Sequence, residues 1–198
     1  MLKNLLHRIV SNPSVYDRLQ IMVGSKQIRQ RLSTHLQQLP PHALVVDLGG
    51  GTGINHELLS TVSRYICLDN DPVKLKGFRE KYPTDFGLLG NATQVPLQSQ
   101  SVDLVLCTAV SHHIPNEFLT AFFSEAMRIL KPDGRFVFMD AVWNPQRPIS
   151  RLLWRYDRGS YPRPLETLQG LLEQQGKILH HENFSIYHTY LIAVVAPK

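Results

Sequence analysis

Residues 45–53 read Val-Val-Asp-Leu-Gly-Gly-Gly-Thr-Gly, and their types and spacing suit the binding of a polar cofactor. Two β-branched apolar residues run into Asp47, and glycine then recurs at every second position, Gly49, Gly51 and Gly53. Val45 and Val46 suit a strand buried on both faces. The glycines suit a turn in which the backbone takes positive φ and comes close to a ligand. From Ile54 a helix can begin, with its N-terminal amides directed at that ligand. Asp47 supplies an acceptor for a cationic or hydroxylic group.

The spacing excludes two common cofactor loops. A dinucleotide fingerprint needs Gly-x-Gly-x-x-Gly, but the sixth position is Ile54 counted from Gly49 and His56 counted from Gly51. A phosphate loop needs Gly-Lys-Ser/Thr at its end, and no lysine follows the turn. An acid beside a glycine turn fits a bound ammonium better than a phosphate.

Other residues with chemical potential fall at regular intervals after apolar runs: Asp69 and Asn70, Asn91 and Ala92, Thr108 to His113, and Asp140. His113 and Asp140 are candidates for a general base. Arg151 and Arg155 are one helical turn apart beside Trp154, in a segment that also holds Arg147, Arg158, Arg163, Trp143, Tyr156 and Tyr161. They can hold a carboxylate or phosphate on a substrate, or form a solvated face with Asp157 as ion-pair partner. No Cys/His spacing typical of a metal site appears, His180, His181 and His188 read as surface or core residues, and no metal is expected.

The elements that would position these residues alternate between strand and helix. Strands are expected at Ala43–Leu48, Tyr65–Leu68, Asp85–Leu89, Val102–Cys107 and Arg135–Ala141. Lys177–Phe184 and Tyr187–Ala196 form a closing antiparallel pair. Helices are expected from Pro13, over Lys26–Gln38, Ile54–Ser60, from the Asp71 cap to before Pro83, from Pro115 with Leu119, Phe122, Phe123, Ala126, Met127 and Leu130 on one face, and over Ile149–Asp157 and Leu165–Gln175. Lys131-Pro132-Asp133-Gly134 reads as a turn with a left-handed glycine. The result is an α/β chain with a doubly wound, seven-stranded, mostly parallel sheet and an antiparallel closing strand. In such sheets ligands bind outside the carboxyl ends of the strands, where the polar residues above fall.

The glycine run resembles motif I of the class I S-adenosylmethionine-dependent methyltransferases. Further segments resemble that family in the expected order. Asp69 stands where the family has an acid holding both ribose hydroxyls. Gly90-Asn91-Ala92-Thr93-Gln94-Val95-Pro96-Leu97 is similar to its Gly-Asp-Ala-x-x-Leu-Pro-Phe segment, with Asn91 in place of the acid that accepts from the adenine amino group. An asparagine oxygen can accept the same bond. Ser101-Val102-Asp103-Leu104-Val105 and Leu130-Lys131-Pro132-Asp133-Gly134 are similar to its fourth-strand motif and its turn into the fifth strand. Tyr16-Asp17-Arg18-Leu19 resembles the entry segment of quinone-ring C-methyltransferases of the family, where the tyrosine packs near the cofactor.

The resemblance implies a Rossmann-like methyltransferase fold over residues 41–198, preceded by a helical segment, 1–40, that packs on the cofactor site or covers it as a lid. It implies S-adenosylmethionine as cofactor, S-adenosylhomocysteine as product and in-line methyl transfer to a small-molecule acceptor. The cofactor-binding set is Asp47, Gly49, Gly51, Gly53, Asp69, Asn70, Asn91, Ala92, Thr108 and Tyr16. A non-catalytic cofactor-binding regulator or partner subunit, and an NAD-dependent oxidoreductase, are the competing readings.

Composition narrows partners and compartment. The chain has 198 residues, 43% hydrophobic and 19% charged, enough for one α/β domain. Its formal charge of +5 is modest. Nucleic acid is not expected as substrate: the stretch after the fourth strand reads Thr108-Ala109-Val110-Ser111, unlike the Asn/Asp-Pro-Pro-Tyr/Phe of amino-methylating DNA enzymes, and no Pro-Cys nucleophile pair occurs. No apolar run has the length of a membrane span, and the amphipathic Met1–Val10 lacks the pattern of a signal peptide. It reads as docking on the domain, with membrane-surface contact as the alternative. Cys67 and Cys107 lie in apolar runs and read as reduced core thiols of a cytoplasmic protein without a stable membrane anchor. Oligomeric state is not legible.

Overall fold

A computed structural model describes residues 26–36, 39–40, 42–59, 64–157 and 161–198, with only the backbone of Tyr156. Tyr16, the amphipathic Met1–Val10 and the helix expected from Pro13 lie outside the described residues.

Seven strands form one sheet: β1 (Leu44–Leu48), β2 (Arg64–Asp69), β3 (Phe86–Leu89), β4 (Val102–Thr108), β5 (Leu130–Val142), β6 (Lys177–Ser185) and β7 (Thr189–Ala196). Their order is β3-β2-β1-β4-β5-β7-β6. Strands β3 to β5 pair in parallel, and β7 runs antiparallel to both β5 and β6. The chain order reverses between β1 and β4, so the carboxyl ends of those two strands flank the crevice where ligands bind in such sheets.

Helices cover both faces: residues 26–36 (α1), Pro72–Lys81 (α2), Asn116–Ile129 (α3), Pro148–Tyr156 (α4) and Leu165–Gln175 (α5). Successive strand residues point to opposite faces, which is why the strands read as unbroken apolar runs. Val46, Val105, Phe136 and Val195 stand side by side across β1, β4, β5 and β7 and pack with Phe122, Phe123, Leu168 and Leu172 of α3 and α5. Val45, Leu104, Leu106 and Val137 face the other way, against Leu32 and Leu36 of α1 and Leu75 and Phe78 of α2. The Asp71 carboxylate caps α2, accepting from the amides of Val73 and Lys74, with Pro72 in the first turn.

Two local expectations fail. The chain after the glycine turn forms a 3-10 turn over His56–Leu59, so the helix expected at Ile54–Ser60, with its N-terminus aimed at the ligand, is absent among the described residues. Asn55 turns its side chain inward there, donating to Asp47 Oδ2 and Thr108 Oγ1. Secondly, Lys131–Gly134 is a bulge within β5 and not a turn ahead of it: Val102 pairs with Leu130 and Leu104 with Arg135. Gly134 is not left-handed. It is needed for close packing, since a Cβ there would sit 3.0 Å from the carbonyl oxygens of Lys131 and Val102. Among the described residues no helix is long and apolar enough to cross a membrane.

Candidate functional site

The glycine turn links the ends of β1 and β2. Gly49, Gly51 and Gly53 have φ of 72°, 59° and 78°, the left-handed region that glycine enters without penalty. The amides of Gly49 and Gly50 donate to Leu68 O, and that of Gly51 to Asp69 Oδ2 at 2.9 Å. The three glycines then differ. A Cβ on Gly49 would strike Val110 at 2.5 Å and one on Gly53 would strike Phe78 at 2.6 Å. At Gly51 the nearest atoms are Lys74 Cδ at 3.7 Å and Asp69 Oδ2 at 3.9 Å, leaving room for a ligand.

Beneath the turn Asp47 is fully buried. Its Oδ2 accepts from Tyr65 Oη at 2.6 Å and from Asn55 Nδ2 at 3.1 Å. Burial pushes its carboxyl up to about 6 against the pull of those two donors. Among the described residues its Oδ1 has no partner. A buried carboxylate oxygen without a donor is costly unless a ligand supplies one.

Asp69, buried at the end of β2, also accepts from the Asp71 amide at 2.9 Å through Oδ1. Each oxygen therefore meets one backbone amide and keeps lone-pair capacity for a hydroxyl. Beside it opens a cleft of about 370 Å³ lined by Gly49, Asp69, Asn70, Asn91, Ala92 and His113, among others. At its rim Asn91 is exposed and its Oδ1 already accepts from Thr93 N and Oγ1, both at 2.9 Å. What Asn91 offers a purine is thus its amide donor or a shared lone pair.

A second cleft, about 210 Å³, lies under α1, walled by Ile28, Leu32, Ile54, Met139 and Tyr190, with Thr108, His112, Asp157 and His188 as polar groups. Arg29 of α1 fastens this wall by donating to Ile54 O and Glu57. Ala109, with φ of 56°, lines both clefts. A non-glycine residue in that region is strained and marks the meeting point.

The turn after β4 carries the site's densest hydrogen bonding. His112 is buried, with Nδ1 2.6 Å from Asp140 Oδ1. Asp140 also receives Ser111 Oγ, His112 N and Ala141 N. Burial raises the Asp140 carboxyl, but the His112 charge and these donors outweigh it and hold it below its ordinary range. Burial likewise lowers His112, and the Asp140 charge reverses this to a net rise. Arg163 clamps the turn from outside, donating to Ser111 O, Ile114 O and Asn116 Oδ1.

The structure sorts the residues singled out from the sequence. Gly49, Asp69, Asn70, Asn91 and Ala92 line one cleft, Gly51 donates to Asp69 beside it, Asp47 lies buried under the turn and lines neither cleft, and Gly53 packs against Phe78. Thr108 belongs to the other cleft. Asp140, a candidate base from the sequence, is fully buried, accepts from Ser111 Oγ and the amides of His112 and Ala141, pairs with His112 Nδ1 and lines neither cleft. His113 lines the cofactor-type cleft, whereas His112 lines the other. Arg151 and Arg155 are exposed and line neither cleft. Trp154, on the adjoining flank of α4, is buried edge-on against His112 and His188. Asn55 and Tyr65 were not singled out from the sequence, because Thr108 and Asp47, which they bond, are brought to them only by the fold. His188 is buried too, its Nδ1 2.8 Å from Ser150 Oγ and burial lowering it to about 4.

A doubly wound sheet with a glycine turn and an acidic strand end beside a cleft at the switch point defines a Rossmann-like fold. The sequence model of the family described as "Methyltransferase domain" matches residues 46–138. An uncharacterized methyltransferase-like protein of Schizosaccharomyces pombe is 32% identical over 123 residues, 58% of this chain and 46% of its own length. A probable S-adenosylmethionine-dependent methyltransferase of Mycolicibacterium smegmatis is 33% identical over 94 residues, 47% of this chain and 36% of its own. Among solved structures, geranyl diphosphate C-methyltransferase from Streptomyces coelicolor, crystallised with Mg2+, geranyl-S-thiolodiphosphate and S-adenosylhomocysteine, superposes with a TM-score of 0.71 at 14% identity, covering 87% of this chain and 76% of that one. Over residues 46–138 the chain is thus similar to methyltransferases in sequence, and its fold is that of solved methyltransferase structures. It spans about half the length of the curated relatives it matches.

Proposed function

We propose that this chain is an S-adenosylmethionine-dependent methyltransferase that acts on a small-molecule acceptor by in-line transfer. The observation that carries this reading is the pairing of an open, left-handed Gly51 over Asp69 with a buried, unpartnered Asp47 Oδ1. An amino acid end with an ammonium suits the second, and a ribose diol suits the first. A dinucleotide pyrophosphate suits neither carboxylate.

When bound, S-adenosylmethionine supplies an electrophilic methyl on its sulfonium. The chain's residues do the rest. Asp69 accepts from the ribose hydroxyls, Asp47 balances the ammonium, and Asn70, Asn91 and Ala92 flank the adenine. Thr108, held by Asn55, stands with Ala109 where the two clefts meet. The smaller cleft takes the acceptor. Its volume suits a compact molecule, its walls are mainly apolar, and alignment with exclusion of water is what the transfer needs from the protein. Helix α1 walls this site through Ile28, Arg29 and Leu32. Two buried, unpaired thiols, Cys67 and Cys107, agree with a reducing, cytoplasmic setting.

Calorimetric titration with S-adenosylhomocysteine and with NAD tests the cofactor. Binding of the first alone is expected, and binding of NAD alone overturns the reading. A metabolite extract incubated with methyl-labelled cofactor then tests transfer. Cofactor binding without any labelled product, across extracts, would support a regulatory protein instead.

A further inference from the structure

We infer that His112, His113 and Asp157 form a binding site for a first-row divalent metal ion of the zinc or iron(II) type, at the junction of the two clefts. Each offers one ligand atom, and these atoms all lie within 4.8 Å of one another. His112 has already committed Nδ1 to Asp140, so Nε2 is the nitrogen left to coordinate. Nε2 stands 3.9 Å from Asp157 Oδ1. That is too long for a hydrogen bond. It falls within the ~3.4–4.2 Å between two ligands that share one ion at about 2.1 Å each.

The support behind the ligands has the form metal sites use. A ligating histidine usually passes its other ring nitrogen to a carboxylate, which fixes the tautomer and ring orientation. Asp140 does this for His112 while being itself fixed by Ser111 Oγ and two backbone amides. The two histidines are neighbours on the 3-10 turn Ser111–His113, and their ring centroids lie 4.2 Å apart. Arg163 donates to the carbonyls of Ser111 and Ile114, so the backbone of that turn is fixed before any ion arrives. His113 is exposed and Asp157 half-buried, and small rotations of these two close the trio.

Two imidazoles and one carboxylate disfavour magnesium and calcium, which prefer all-oxygen sets, and suit zinc or iron(II). Three protein ligands leave positions open, as in catalytic rather than structural sites. Those positions face the clefts, since His112 and Asp157 line one and His113 the other. They would take a hydroxyl or anionic oxygen of the acceptor and hold it near the transferable methyl. This last point rests on the methyltransferase reading, whereas the metal site does not.

The test is calorimetric titration of the untagged, metal-stripped full chain with Zn2+, with Co2+ as a spectroscopic probe. Expected are one Zn2+ per chain at micromolar affinity or better and visible Co2+ absorption bands. His113→Ala and Asp157→Asn, both on accessible side chains, should each weaken binding at least ten-fold, and His112→Asn with His113→Ala should abolish it. Asp140→Asn should weaken it by about 10–100-fold. His35→Ala with His180→Ala, a pair of tilted rings that lines neither cleft, should change nothing. Melting curves identify any variant that fails to fold, and the two single variants then decide. No Zn2+ binding below millimolar concentration would overturn the site, leaving His112 and Asp157 as an ion pair. Binding that survives in the folded double variant would overturn it equally. S-adenosylhomocysteine titrated in the presence of EDTA reports separately on the cofactor reading.

Discussion

The Gly51 amide donates to Asp69 Oδ2 at 2.9 Å, so one carboxylate both anchors the glycine turn and faces the space above it. Removing it therefore has two costs. Asp69→Ala frees the turn and deletes the acceptor for two ribose hydroxyls, each bond being worth about 1.5–3 kcal/mol when one partner is charged. Affinity for S-adenosylhomocysteine should drop at least ten-fold by calorimetry. Asp69→Asn, which can still accept from Gly51, should fall between. An alanine variant within two-fold of wild type would mean that another residue holds the ribose.

The three turn glycines should respond differently to substitution. Gly51→Val meets no atom closer than 3.7 Å at its Cβ, so the variant should fold, losing roughly 1–2 kcal/mol to left-handed strain, and should not bind the cofactor. Gly53→Ala drives a methyl to 2.6 Å from Phe78, and Gly49→Ala to 2.5 Å from Val110. Both should lower the melting temperature more than Gly51→Val does. Normal affinity in folded Gly51→Val would remove the turn from the site.

Asp47 gives the binding a pH dependence. Burial raises its carboxyl to about 6, so below that value it is protonated and cannot balance an ammonium. Affinity for S-adenosylhomocysteine should rise between pH 5 and pH 7 and level off above. Asp47→Asn should flatten the profile at the low value. Stability of the cofactor-free protein should move the other way. A group whose folded pKa is raised stabilises below its unfolded value of 3.8 and loses that contribution as pH climbs through about 6. Calorimetry and melting curves over this range check both signs.

The sheet and its order of polar strand ends were legible because two-sided burial writes itself as apolar runs, as in Val102–Cys107, and because ligand-facing acids follow those runs directly. The places of Asp69 at the end of β2 and of Asn91 just past β3 were legible for the same reason. What escaped was set by distant partners. Nothing local distinguishes His112 from His113, and only Asp140 across β5 shows which ring is held. Tyr65 looks like an ordinary strand aromatic until its hydroxyl is found on Asp47. The Ile54–Ser60 helix failed because Asn55 is drawn into the core by Asp47 and Thr108, contacts that no local pattern encodes.

Helix α4 offers the sharpest contrast between its two faces. Arg151 and Arg155 were attractive as anion holders by their spacing alone, yet both are exposed and lie outside the clefts. Arg151→Ala with Arg155→Ala should leave S-adenosylhomocysteine affinity unchanged and stability within about 0.5 kcal/mol of wild type. Turnover should also stay unchanged once an acceptor is known. Trp154, between them in sequence, is buried against His112 and His188. Trp154→Ala should cost about 3–5 kcal/mol, seen as a lowered denaturation midpoint, because it empties a cavity behind the acceptor cleft. Trp154→Phe should recover most of the loss, since the indole N–H has no partner to forfeit. A marked rise in KM for the acceptor in the arginine double variant, with normal folding, would instead mean that the acceptor reaches out over α4.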